Sequence, residues 1–140
     1  MNKIYIDTDA VLDLLLQREP HFTFTIELFT LIEKNVVKGH VSGVIFTNLF
    51  YVLRKFRSRN EVIDSLKGLK SIIKILPITD EITELALNSD FLDFEDAVQY
   101  YTALNNNISF LITRNKKDYK KSEMTICTAQ EFIKILSEIN

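Results

Sequence analysis

The chain has 140 residues, 46% hydrophobic and 26% charged, with 17 basic against 19 acidic side chains and a formal net charge of -2. That length fits one domain around one ordinary core, and the charge balance argues against indiscriminate nucleic-acid binding. No apolar run approaches the roughly 18 residues a membrane span needs, and MNKIYIDTD lacks the apolar core of a signal peptide, so a cytoplasmic protein is expected.

In chain order, residues 3–6 (KIYI) read as a short buried strand, and Ala10, Val11, Leu14 and Leu15 stripe a helix over about 10–17. Asp7 and Asp9 then fall in the strand-to-helix turn. A second helix is expected over roughly 22–37, closed by Gly39, with HVS at 40–42 too short for more than a small strand. Ser42 is placed to cap a helix over about 44–57, whose Phe46, Leu49, Phe50, Leu53 and Phe56 recur at helical spacing and read as core. Residues 61–73 give another amphipathic helix, with Val62, Leu66, Leu69 and Ile73 on one side, and KILPI at 74–78 reads as a strand ended by Pro77. Asp80 suits the cap of a helix over about 81–88. The cluster SDFLDFED follows, then a helix over about 94–106, a buried strand SFLIT at 109–113, a weaker strand MTIC at 124–127, and a final helix from Ala129 that Thr128 can cap.

Strands alternating with helices, without hairpin signals, indicate an α/β fold with a parallel sheet and helices on both faces. Ligands bind such sheets beyond the carboxyl ends of the strands, at the switch point of the winding order. The turns after residues 6 and 113 are the candidates here. Three glycines in the whole chain leave no Gly-rich phosphate loop. The single cysteine, Cys127, excludes an internal disulfide, and His21 and His40 have no second soft ligand near them in sequence, which argues against zinc.

Three acidic islands remain: Asp7 and Asp9; Asp90, Asp93, Glu95 and Asp96; and Asp118. Carboxylates gathered from distant parts of a chain repel one another, and the usual remedies are a hard divalent cation or a raised pKa. Asp7 is the strongest candidate, because a charge ending an apolar strand is costly to bury unless paired or metal-bound. A capping role suits Asp9 better. Asp93 near the N-cap and Glu95 in the first turn are accounted for by capping and the helix dipole, whereas Asp96 is not. Asp118 lies four residues beyond Arg114, and on spacing alone a surface ion pair accounts for it. RKFRSR (Arg54, Arg57) and RNKKDYKK (Arg114, Lys116, Lys117, Lys120, Lys121) concentrate basic residues either as a phosphate-binding rim or as ordinary solvated faces.

IYIDTDAVLDLLLQREP, SGVIFTNLFYVLRK, DFEDAVQYYTAL and FLITRNKKDYKKS, in this order, resemble the PIN domain family, of the kind found in bacterial VapC-like toxins. The resemblance spans essentially the whole chain, and its most specific piece is DFEDAVQYYTAL followed by LITRNKKDY. It implies a PIN-like three-layer α/β/α sandwich and a Mg²⁺- or Mn²⁺-dependent ribonuclease leaving 5′-phosphate and 3′-hydroxyl ends. By position, Asp7 matches the first family acid and Asp96 the one at the later helix start, while Asn115 and Asp118 fall in the segment supplying the last. Asp93 is an auxiliary ligand, and Asp9 stands where the family commonly has Asn. Thr8 or Thr113 can orient a carboxylate or a water. Arg114, Lys116, Lys117, Arg54 and Arg57 would hold flanking RNA phosphates.

The sequence departs from the family pattern in one place. The helix after the second strand usually carries a glutamate, and VIFTNLFYVL offers only Thr47 and Asn48; an amide can coordinate but brings no charge. The resemblance also implies a small antitoxin partner and a homodimer. Two other readings stand beside it: a catalytically silent PIN domain that binds RNA or protein, motivated by the absent glutamate, and a haloacid-dehalogenase-type phosphatase, motivated by Asp7-Thr8-Asp9 after a strand.

Overall fold

The computed structural model describes residues 2–119 and 123–139. Along the chain run β1 (Asn2–Ile6), α1 (Thr8–Leu15), α2 (His21–Glu33), β2 (Val37–Ser42), α3 (Val44–Leu53), α4 (Arg59–Ile72), β3 (Lys74–Leu76), α5 (Asp80–Leu87), α6 (Phe94–Asn105), β4 (Phe110–Ile112), a 3₁₀ turn (Lys116–Tyr119), β5 (Thr125–Cys127) and α7 (Ala129–Ile139). All strand pairings are parallel, in the order β3-β2-β1-β4-β5. Helices cover both faces, giving the expected α/β/α sandwich.

Alternation along β1 decides which residue serves which layer, since successive side chains of a strand point to opposite faces. Ile4 and Ile6 join the larger core with α1, α2, α3, α4 and α7, through Val11, Leu28, Leu49, Val62 and Phe132 among others. Tyr5 points the other way, toward Tyr100, Ala103, Leu111 and Tyr119. α5 closes that second face by packing Ile82 and Ala86 on Ala97 and Val98 of α6. Ile4, Ile6, Leu28, Leu49, Leu111 and Ile112 are wholly inaccessible to solvent.

Several boundaries differ from the sequence expectation. α2 stops at Glu33 and the chain turns through Asn35 with φ 62, so residues 37–39 belong to β2. Gly39 is therefore not a helix stop. It sits mid-strand where a Cβ would come within 2.9 Å of Ile32 Cδ1, which makes it the point of closest approach between β2 and α2. α3 ends at Leu53, leaving Phe56 outside the core at 69% exposure, whereas Leu49 and Leu53 are buried as expected. Gly43, not Ser42, precedes α3, and Thr79, not Asp80, caps α5 by accepting from the Ile82 N–H. Thr128 does cap α7, in a reciprocal pair with Glu131. His40 is structural: it is buried in β2 with Nδ1 3.1 Å from the Ile4 carbonyl oxygen.

Winding reverses at β1. β2 and β3 build outward on one side of it, β4 and β5 on the other. The crevice beyond the carboxyl ends of β1 and β4 is the place where such a sheet leaves room for a ligand. Asp7 follows β1 and Thr113 follows β4, and the Asp7 N–H donates to the Ile112 carbonyl at 3.1 Å.

Candidate active site at the carboxyl edge of the sheet

A cleft of about 470 Å³ opens at this switch point. Asp7, Asp9, Asp93, Glu95, Asp96 and Asp118 all line it, together with Thr8, Asn48, Tyr51, Val52, Gln99 and Asn115. The three acidic islands thus meet, with Asp90 alone of the acidic candidates absent from the lining. Among the described residues, no lysine or arginine lines the cleft.

Asp7 is both the N-cap of α1 and the most buried acid of the cleft. Its Oδ1 accepts from the Ala10 N–H at 2.9 Å and its Oδ2 from the Thr113 hydroxyl. Capping therefore falls to Asp7 and not to Asp9, because α1 begins two residues earlier than its apolar stripe suggests. Burial pushes the Asp7 carboxyl up to about 7, opposed by its two hydrogen bonds and reinforced by Asp9 and Asp96. Asp96, half-buried at the start of α6, is raised to about 6 by burial and then by Asp93 and Asp118. Its Oδ1 accepts from the Tyr119 hydroxyl at 3.3 Å. Burial and the nearby Asp7 and Asp96 drive the Tyr119 phenol far above its ordinary range, so it is a fixed donor.

Of the remaining acids, Asp93, Glu95 and Asp118 are exposed and Asp9 is half-buried. Asp93 caps α6 by accepting from the Asp96 N–H at 3.1 Å. Asp9 Oδ2 accepts from the Asn115 amide at 3.0 Å, and the Asn115 N–H donates to Thr113 Oγ1 at 3.0 Å. Asp118 opens onto the cleft from the 3₁₀ turn, its N–H bonded to the Asn115 carbonyl. It is not the ion-pair partner of Arg114 that spacing suggested. Glu95 is placed differently again: its Oε1 accepts from Thr8 Oγ1 at 3.0 Å and from Asn48 Nδ2 at 3.2 Å. In these positions the carboxylates line one cleft without converging on a point, and no three His, Cys, Asp or Glu side chains among the described residues form a ready ligand set.

Arg114 instead forks onto Asp13, with Nε to Oδ2 at 2.7 Å and Nη2 to Oδ1 at 3.1 Å. Asp13 is 1% exposed, and Arg18 reaches its Oδ1 at 3.0 Å. This clip ties α1 to the loop that carries Asn115 and Asp118. Arg114 thus pairs with a buried carboxylate while its own side chain stays one-third accessible, at 33%. Lys116 pairs with Glu131 at 2.9 Å, Arg57 donates to the Leu15 carbonyl at 2.6 Å and Arg54 to the Arg57 carbonyl at 3.0 Å. Lys117 is exposed, and Lys120 and Lys121 lie outside the described residues.

A family model described as PIN domain matches residues 3–117. The chain belongs to the PIN domain family. Ribonuclease VapC1 of Aquifex aeolicus (strain VF5) is 23% identical to this PIN domain over 135 residues, covering 93% of this chain and 92% of that one. A toxin-antitoxin complex from Klebsiella pneumoniae contains a chain 22% identical to it, matched over 90% of this chain and 97% of that one with a TM-score of 0.68. DNA-bound VapBC from Salmonella typhimurium gives the same TM-score at 17% identity, over 92% and 99% of the two chains. These likenesses bear out the PIN-like sandwich expected from the sequence.

Asp13, Tyr119 and the placement of Glu95 escaped the sequence reading. Asp13 sits among leucines in AVLDLLL, a polar position inside an apolar stripe, and that pattern was the available signal. Nothing comparable marks Tyr119 or the reach of Glu95.

Proposed function

We propose that this PIN domain is a Mg²⁺- or Mn²⁺-dependent endoribonuclease that cleaves single-stranded RNA. In this reading it is the toxin of a type II toxin-antitoxin pair, with a cognate antitoxin and a second copy of itself as protein partners. The observation that carries the reading is the gathering of six carboxylates around one cleft at the sheet's switch point, two of them forced toward neutrality. The names of its relatives, a ribonuclease and toxin-antitoxin complexes, support it.

The donor set fits a hard divalent cation: its side-chain donors are oxygens, dominated by carboxylates, with no competing lysine or arginine in the lining among the described residues. Asp7, Asp96 and Asp118 would hold the cation, with Asp93 as auxiliary, and ligation calls on the exposed members to swing inward. When bound, such an ion neutralises charge on a scissile phosphodiester and makes a water acidic enough to attack. The protein's own groups prepare the site. Thr113 and the Ala10 N–H fix the Asp7 carboxylate, Tyr119 fixes Asp96, and Asn115 links Asp9 to Thr113. Tyr51 lines the cleft at 68% exposure and offers a face on which a base can stack. Lys117 and Arg54 are exposed, and Lys116 is half-exposed, so these can contact flanking phosphates, which position a strand without reading it.

The test is RNA cleavage and Mn²⁺ binding by the parent, Asp7→Asn and Asp96→Asn. The nuclease reading expects metal-dependent cleavage that falls to background in both variants. Asn48, an amide where the family carries an acid, is the observation favouring a silent PIN domain; that reading expects RNA binding without cleavage of any RNA. Release of phosphate from small phosphoesters, lost in Asp9→Asn, would point to the phosphatase.

A further inference from the structure

Glu95 does not behave as a helix-dipole acid. The cap of α6 is Asp93, whose carboxylate stays at the helix's own amino end. Glu95, with one more methylene than its aspartate neighbours, instead reaches across the cleft to two other elements. Its Oε1 receives the Thr8 hydroxyl of α1 and the Asn48 amide of α3, residues 87 and 47 positions away. Two donors brought from separate helices onto one oxygen fix the side chain, and Oε2 accepts no hydrogen bond among the described residues. Position 48 lies on the helix where the family pattern calls for an acid, and the group found against it is this carboxylate.

We propose that Glu95 supplies, from α6, the cleft carboxylate that α3 lacks, with Asn48 and Thr8 as the residues that hold it in place. This rests on the nuclease reading above. Asn48 is then a positioning residue whose amide does the opposite of what an acid would do there: it donates, and so recruits a charge from another helix. Such relocation would keep the number of carboxylates available to a cation undiminished although α3 contributes none. It also gives the glutamate a definite chemistry toward a divalent ion, as a hard oxygen ligand reached by a longer, more adjustable arm than an aspartate has.

The experiment measures Mn²⁺ affinity by calorimetry, and RNA cleavage alongside it, for four proteins: the parent, Glu95→Gln, the double variant Asn48→Asp with Glu95→Gln, and Asp7→Asn. Glu95→Gln preserves shape and is expected to weaken Mn²⁺ binding by about tenfold or more, as loss of a site carboxylate or its support does elsewhere, with the melting temperature unchanged. The double variant exchanges donor and acceptor across the same contact and is expected to regain most of that affinity, which a purely structural role for Glu95 would not produce. Glu95→Gln binding Mn²⁺ like the parent, while Asp7→Asn does not bind it, overturns the proposal and leaves the nuclease reading standing. A parent that binds no Mn²⁺ overturns both.

Discussion

The cleft has two halves that differ in what holds them. On one side Asp7 is buried and saturated by Thr113 and a backbone N–H, with Asp96 half-buried against Tyr119. On the other, Asp93, Glu95 and Asp118 are exposed and Asp9 is half-buried, and they hold their places through one or two hydrogen bonds each, or none from the side chain. The buried half stores the cost of the site: burial disfavours ionised carboxylates, and both pKa values rise. The exposed half costs the fold little and can move. A cation site built this way has a rigid floor and an adjustable rim.

The largest expected effect separates these halves through pH. The Asp7 carboxyl rises from its ordinary value of 3.8 to about 7 in the folded protein, so between those values the native state holds a proton that the unfolded state has lost. The contribution of Asp7 to the stability of the metal-free protein is therefore greatest below pH 4, falls as the pH climbs toward 7, and levels off above it. Asp7→Asn removes that dependence and is expected to stabilise the metal-free protein at pH 8 by as much as about 4 kcal/mol, at about 1.4 kcal/mol per pKa unit. Thermal melts from pH 4 to 8 check this. Identical profiles for parent and variant would break the comparison, because the buried half would then store nothing.

Thr113→Val tests the floor more gently. The hydroxyl donates to Asp7 and accepts from the Asn115 N–H, so its loss leaves two partners short and is expected to cost about 1–3 kcal/mol at neutral pH. Because that hydrogen bond favours the ionised form of Asp7, the pH at which Mn²⁺ begins to bind is expected to move upward, as titration calorimetry at several pH values would show.

Asp118→Asn is the smallest perturbation to the fold. An exposed side chain on the rim is expected to change stability by no more than about 0.5 kcal/mol, while Mn²⁺ affinity falls measurably. A melting temperature lowered as much as in Thr113→Val would show that the rim is structural after all.

Much of this was legible in the sequence. KIYI and SFLIT announce buried strands because they are uninterrupted apolar runs, and the helical stripe through Val62, Leu66 and Leu69 names its own core face. Asp7 and Asp96 follow from placing such elements in a parallel sheet. The limits of α2 and β2 did not follow, since FTFTIELFTLIEKNVV continues helix-compatible residues past the point where Asn35 turns the chain. Nor could spacing choose a partner for Arg114: Asp118 stands four residues away in sequence, yet the guanidinium turns to Asp13, 101 positions distant. Local charge patterns suggest local pairs, and folding supplied a buried competitor. Glu95 shows the same limit, because a first-turn acid looks like dipole chemistry until its neighbours across the cleft are known.

The insertion of β4 between β1 and β5 bears on the protein's own synthesis. A chain is made from its amino end, so Asp7 leaves the ribosome well before the strand β4 that pairs beside β1. Thr113, Asn115, Asp118 and Tyr119 follow Asp7 by more than 100 residues, and without them it lacks its hydroxyl partner and Asp96 its phenol. A chain that ends before β4 therefore cannot complete the cleft.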